Sequence, residues 1–168
     1  MIEKLISGGQ TGADIAALDV ALRHEFPHGG WCPKGRRSLE CPIPARYNLF
    51  ETPSESYLQR TEWNVRDSDG TVVFTLAAKV TGGSLRTIEF ARKHKLPCLH
   101  IGAQGGFFEN PALRLQQFVK ENGIKRLNVA GSRESKEPGI HVWVMQVLED
   151  AFFWSETHPG ILGGPGEG

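Results

Sequence analysis

Apolar residues in this chain fall into short continuous runs, separated by longer stretches in which they recur at helical spacing. Ile2 to Ile6, closed by Gly8-Gly9, predicts a first buried strand, and Asp14 to His24, with Ala16, Ala17, Val20 and Ala21 three to four apart, predicts a helix. Thr52-Pro53-Ser54-Glu55 combines a threonine cap, a proline at the first helical position and a glutamate at the third, which starts a second helix running to about Asp67. Thr71 to Leu76, "TVVFTL", is β-branched and apolar on both faces, as a central parallel strand covered by helices on each side would be. After the turn Thr81-Gly82-Gly83-Ser84 a helix passes through Leu85, Ile88 and Ala91. Pro97 to Ile101 is a strand, Asn110 to Glu121 a helix with Leu113, Phe118 and Val119 on its apolar side, and Arg126 to Ala130 a further strand ending in Gly131-Ser132-Arg133. From Gly139 to about Trp154 a last helix carries the stripe Val144, Val147, Leu148 and Ala151.

Strands that alternate with helices predict an α/β fold: an open parallel sheet with helices on both faces, a Rossmann-like three-layer sandwich. Two segments break the alternation. Pro27 to Tyr47, "PHGGWCPKGRRSLECPIPARY", is rich in proline and glycine without periodicity and predicts a long structured loop around a brief strand. The tail from 159 to 168 has too little apolar surface to bury and is expected to be disordered, which leaves residues 1–158 as a single ligand-binding domain.

The charge balance narrows the partners. With 19 Lys and Arg against 19 Asp and Glu, there is no global field to hold nucleic acid or an anionic membrane, so an anion needs a local site. The N-terminus lacks the basic-then-apolar pattern of a signal peptide and no apolar run approaches the roughly 18 residues of a membrane span, so a cytoplasmic protein is expected. The three cysteines, Cys32, Cys41 and Cys98, form no CxxC pair. Cys98 fits a core position, whereas Cys32 and Cys41 flank a basic loop and make only a weak soft-metal signal, so no metal site is assigned.

Three predicted turns at the carboxyl edge of the sheet, "SGGQTG", "TGGS" and "AGSRES", pair glycine with a hydroxyl residue. Glycine lets successive backbone N–H groups converge on one anion and the following helix adds its dipole, so phosphate is the natural guest. A tight βα turn, with Thr11 capping the first helix and Asp14 reciprocating as a weak capping box, explains the first turn equally well. Lys34, Arg36, Arg37, Arg133 and Lys136 lie around the same rim as candidate phosphate partners. Trp63 could stack on a flat heterocycle, and Asn64 or Asp67 could bond its edge, unless the tryptophan is core. Glu89, two turns into the helix after "TGGS", is the candidate general base or sugar-hydroxyl acceptor if its face meets the cleft.

In motif order and wording, "ISGGQTGADIAALDVAL", "HGGWCPKGRR", "ARYNLFETPSESYLQRTEWNVRDSDGTVV", "TGGSLRTIEFARKH" and "VAGSRESKEPGI" resemble the molybdenum carrier family, a bacterial branch of a Rossmann-like superfamily. That superfamily also contains algal molybdenum-cofactor carriers and the cytokinin-activating phosphoribohydrolases. The resemblance implies a phosphate-bearing ligand held first by Gly8, Gly9, Gln10, Thr11 and Gly12 and then by Gly82, Gly83, Ser84 and Thr87, with Ser132 and Arg133 on the third turn. It implies molybdenum cofactor or a related phosphorylated pterin or nucleotide as cargo, and pairing into homo-oligomers. The phosphoribohydrolases carry PGGxGTxxE; here "TGGSLRTIE" keeps both glycines and Glu89, but Thr81, Leu85 and Arg86 depart from that pattern. A carrier without chemistry and a nucleotide N-glycosidase using Glu89 are therefore the two readings the resemblance leaves open.

Overall fold

The computed structural model describes residues 1–104 and 110–160. Its elements run β1 (Lys4–Ile6), α1 (Ala13–Arg23), β2 (His28–Gly29), β3 (Trp31–Cys32), β4 (Phe50–Glu51), α2 (Tyr57–Arg66), β5 (Gly70–Thr75), α3 (Gly82–Lys93), β6 (Cys98–Gly102), α4 (Pro111–Glu121), β7 (Arg126–Gly131), α5 (Ile140–Phe152) and α6 (Trp154–Thr157). Five of the strands form one parallel sheet in the order β2-β1-β7-β5-β6. The last strand of the chain is thus the middle of the sheet, with Leu127 beside Leu5 and Val129 beside Val72. Of the tail expected to be disordered, residues 161–168 lie outside the described residues.

The two faces of the sheet differ in chemistry. Leu5, Val72, Phe74, Leu127 and Val129 pack with α1, α4 and α5 in the main hydrophobic core, where the predicted stripe Val144, Val147, Leu148 and Ala151 is buried. Because side chains alternate along a strand, Thr71, Thr75 and Asn128 fall on the opposite face, the one α3 covers with its buried Ser84 and Thr87. Asn128 Nδ2 donates to the Thr71 hydroxyl across the β7–β5 pair at 3.1 Å. This polar face, closed by α2 and α3, leaves room for a cavity.

Several local expectations change. The second helix starts at Tyr57 rather than at Thr52, because Thr52 is used elsewhere: its N–H donates to Cys32 O and its hydroxyl to Ser54 O, both at 2.8 Å. Ser56 caps instead, its hydroxyl accepting from Gln59 N. In α4 the buried stripe is Ala112, Leu115 and Val119, with Phe118 packed partly against the core, while Leu113 is exposed. Cys98 is only half-buried, since β6 is an edge strand, and desolvation pushes its thiol up to about 11.

The long loop contains two brief strands, not one, since β2 joins the main sheet and β3 pairs with β4. The segment then builds a small core of its own, in which Cys32, Ile43, Tyr47 and Leu49 pack on Ile15 and Leu18 of α1. Cys32 is therefore a buried core thiol, whereas Cys41 is exposed.

Candidate functional site

A cavity of about 350 Å³ opens at the carboxyl edge of β1 and β7, on the α2–α3 side of the sheet. Its position is the crevice where strand order reverses, with β1 leading outward to β2 and β7 returning between β1 and β5. Gly8 and Gln10 contribute from the first turn, Gly82, Gly83, Ser84 and Thr87 from the start of α3, and Ser132 and Arg133 from the third turn. The three glycine turns picked out in the sequence thus meet at one cavity.

They are not equivalent there. Gly82, Gly83 and Ser84 form the first turn of α3, and no side chain caps it. A Cβ built on Gly83 would meet nothing within 4 Å, so the side of this first turn is open, and its N–H groups have no side-chain cap. Lys136 reaches over them from the β7–α5 turn, its Nζ donating to the Thr81 hydroxyl at 2.8 Å, and Arg86 and Arg133 complete the basic wall. The Thr87 hydroxyl donates back to Gly83 O at 3.1 Å.

Replacing Gly83 by alanine removes backbone freedom from a helical position without a steric penalty, so Gly83→Ala is expected to stabilise the fold by about 0.5–1 kcal/mol. A urea titration checks this, and a lowered midpoint would show that the α3 start is not helical.

The first turn is already occupied by the protein's own anion. Asp14 is buried at the start of α1; its carboxylate accepts from Gln10 N at 3.2 Å and pairs with Arg60 Nη1 of α2 at 3.1 Å. Burial pushes the Asp14 carboxyl up from 3.8 to about 6, against the opposing pull of Arg60 and of the Gln10 N–H. Gly8 makes room for this pair, since a Cβ there would lie 2.0 Å from Arg60 Nη1.

The predicted Thr11–Asp14 capping box is absent. Gly12 occupies the cap position without a side-chain bond, and the Thr11 hydroxyl is buried without a hydrogen-bond partner. The Glu40 carboxyl is held below its usual range, chiefly by Ser135.

The other candidates stand off the cavity wall. Gly9 packs against Leu49 and Ile43, and Gly12 against the backbone of Ser132 to Glu134. Arg36 donates to the carbonyls of Ile43, Pro44, Tyr47 and Leu49, so its guanidinium holds the loop and is not free for phosphate. Arg37 pairs with Glu55 at 3.5 Å, while Lys34 is exposed and also lines no part of the cavity. Trp63 sits edge-on to Trp31 with the Arg66 guanidinium over its ring, so it is not the platform for a heterocycle in this cavity.

Asn64 does line the cavity, but its carboxamide is engaged with Trp31, accepting from N at 2.7 Å and donating to O at 2.9 Å. Asp67 accepts from the Trp31 indole. Glu89 is exposed on α3 and ion-paired with Arg86 at 3.0 Å; it does not reach the cavity wall. Among the described residues no group of three His, Cys, Asp or Glu side chains is placed to hold a metal ion, and no helix is long and apolar enough to cross a membrane.

Sequence reading missed Asp14 and Arg60 as a site pair, and Tyr57, Thr61 and Asn128 as cavity residues. A signal for α2 was present: Tyr57, Arg60, Thr61 and Asn64 fall at i, i+3, i+4 and i+7, which is one face of a helix. An inward face that polar resembles a solvated one in sequence.

The basic, glycine-lined cavity lies at the strand switch point of a parallel α/β sandwich, the place where open sheets of this kind hold their ligands. The model of the circularly permutated YpsA SLOG family matches residues 5–152, and the chain belongs to that family. Among solved structures, a protein described as a "putative molybdenum carrier protein" from Syntrophus aciditrophicus SB is 44% identical and superposes with a TM-score of 0.86, over 90% of this chain and 95% of that one. No protein with a curated description matches the chain.

Proposed function

We propose that this protein binds a phosphorylated small molecule, with its phosphate at the N-terminus of α3, and acts as a carrier for a molybdenum-cofactor-like or nucleotide-like cargo. The observation that carries the reading is the uncapped first turn of α3, which opens onto the cavity beneath Lys136 with Arg86 and Arg133 alongside. Backbone N–H groups and the helix dipole favour an anion there, and the cations supply the charge that a neutral protein otherwise lacks. The cavity volume lies in the range of small-molecule sites. The name of the Syntrophus aciditrophicus structure supports the molybdenum side of the reading.

In this arrangement Lys136 donates to a phosphate oxygen, the Ser84 hydroxyl and the α3 N–H groups hold the others, and Arg133 closes the rim. Glu89 is exposed, pairs with Arg86 and lies off the cavity wall, and has no part in it.

Titration calorimetry with ribose 5-phosphate is the direct test. Lys136→Ala is expected to weaken binding about tenfold, the loss of one charge-assisted hydrogen bond of about 1.4 kcal/mol. Unchanged affinity in that variant would remove the phosphate from the α3 start. For the cargo, native mass spectrometry and metal analysis of the purified protein should find a phosphorylated pterin together with molybdenum; a nucleotide without metal would replace the molybdenum reading.

A further inference from the structure

We propose that Leu39 and Leu58 are the apolar contacts of the same cavity, and that they select a phosphate joined to a flat unsaturated ring over a bare sugar phosphate. The inference rests on the phosphate reading above for the charged half of the ligand.

Leu39 is 54% exposed and Leu58 49%, and both line the cavity. Neither belongs to either hydrophobic core. A single exposed leucine is ordinary on a protein surface. Here two of them, from separate segments of the chain, border the one cavity that also carries Arg133 and Lys136. Their accessible surface gains from being covered by an apolar group, and the group that the cavity admits is part of its ligand.

Leu39 is held in place by the first glycine turn. Gln10 clasps three consecutive residues of the long loop: its Nε2 donates to Arg37 O at 3.3 Å, and its Oε1 accepts from the Ser38 hydroxyl at 3.3 Å and from Leu39 N at 3.4 Å. Gln10 is buried, and its carboxamide is spent on the loop and not on a ligand. On the other side the Arg37 guanidinium lies over the ring of Tyr57, 5.4 Å from its centroid, one residue before Leu58 in α2. The loop thus bridges the α1 turn and the start of the helix that carries the second leucine.

The chemistry of the ligand's other half follows. A phosphate fills only part of a cavity of about 350 Å³. A sugar gains little from leucine, because hydroxyls placed against it give up water without a new partner. A flat heteroaromatic ring has two apolar faces, which leucine side chains cover without a directional bond. These contacts therefore read the presence of a ring and not the pattern of groups on its edge.

The test is titration calorimetry of the intact chain with ribose 5-phosphate, AMP and GMP. Both nucleotides are expected to bind at least tenfold tighter than ribose 5-phosphate. In the double variant Leu39→Ser, Leu58→Gln that advantage should fall to about threefold or less, with the affinity for ribose 5-phosphate unchanged. The apolar pair Leu39→Met, Leu58→Met should keep it. Both positions are half exposed and outside the cores, so the urea midpoints of the two double variants should match that of the parent protein.

Nucleotides that bind no tighter than ribose 5-phosphate, or an advantage that survives in Leu39→Ser, Leu58→Gln, would each overturn this inference while the phosphate site stands. Survival of the advantage together with a lowered oligomeric mass of that variant would assign the two leucines to a contact between copies of the chain instead. Failure of ribose 5-phosphate itself to bind would overturn the phosphate reading, and this inference with it.

Discussion

Arg60→Ala is expected to destabilise the fold by about 3–5 kcal/mol at pH 8, because it leaves the buried Asp14 carboxylate without its counter-charge. Among the described residues the pair is the one place where the polar face of the sheet holds opposite charges out of water, at 3.1 Å and with both side chains about nine-tenths buried. The penalty should depend on pH in a defined direction. The folded-state pKa of Asp14, about 6, lies above its ordinary 3.8, so the folded state binds a proton more readily than the unfolded one. Its contribution is fully present below pH 3.8 and is lost as pH rises through 6, a change of about 3 kcal/mol.

Two consequences can be measured by urea unfolding between pH 4 and pH 8. The stability difference between the parent protein and Asp14→Asn should move against the parent protein as pH rises, while carboxylates such as Asp69 and Glu62, held low by their cationic partners, cancel in the comparison. The Arg60→Ala penalty should shrink towards pH 5, where the orphaned carboxyl takes up a proton. A pH-independent difference in both experiments would mean that Asp14 is solvated.

Gly12→Ala is expected to cost about 4 kcal/mol or more. Gly12 has φ 86° and ψ −128°, a conformation open in practice only to glycine, and a Cβ there would lie 2.3 Å from Ser132 O and 2.8 Å from Glu134 N. Neither obstacle is the end of a flexible side chain. Ser132 is fixed on both sides, its N–H donating to Phe74 O at 3.0 Å and its carbonyl accepting from Ala13 N at 3.2 Å. The variant therefore has to pull α1 away from the β7 turn, which also displaces Ser132 in the cavity wall. Gly123→Ala is the control, with φ 60° and nothing within 4 Å, and should lose only the conformational part, about 1–2 kcal/mol. Similar losses in the two variants, read from urea midpoints, would show that chain approach at Gly12 is not the cause.

Both experiments concern residues whose roles were only partly visible in sequence. The glycine of "QTG" was legible as a turn, yet its reason is the β7–α5 backbone, more than a hundred residues away in the chain. Asp14 was legible as a helix-start acid, and the capping box was a sound local inference. It failed because a cationic partner arrived from α2 and drew the carboxylate inward. Arg36 shows the same in reverse. Its neighbours Lys34 and Arg37 suggested a phosphate-binding loop, but four backbone carbonyls within the loop compete for its guanidinium and hold it.

By itself, the sequence determined the main strands and helices, the parallel α/β class, the convergence of glycine turns on one rim and the likeness to a carrier family. These follow from local pattern, because hydrophobic period and turn chemistry act over a few residues. Only the tertiary structure decided that β7 closes the middle of the sheet, that the α3 turn is open while the α1 turn is filled by Asp14, and that α2 presents Tyr57 and Arg60 to the cavity. Each of those depends on which distant segment satisfies a buried charge or an unpaired N–H, and that competition is resolved only when the segments pack together.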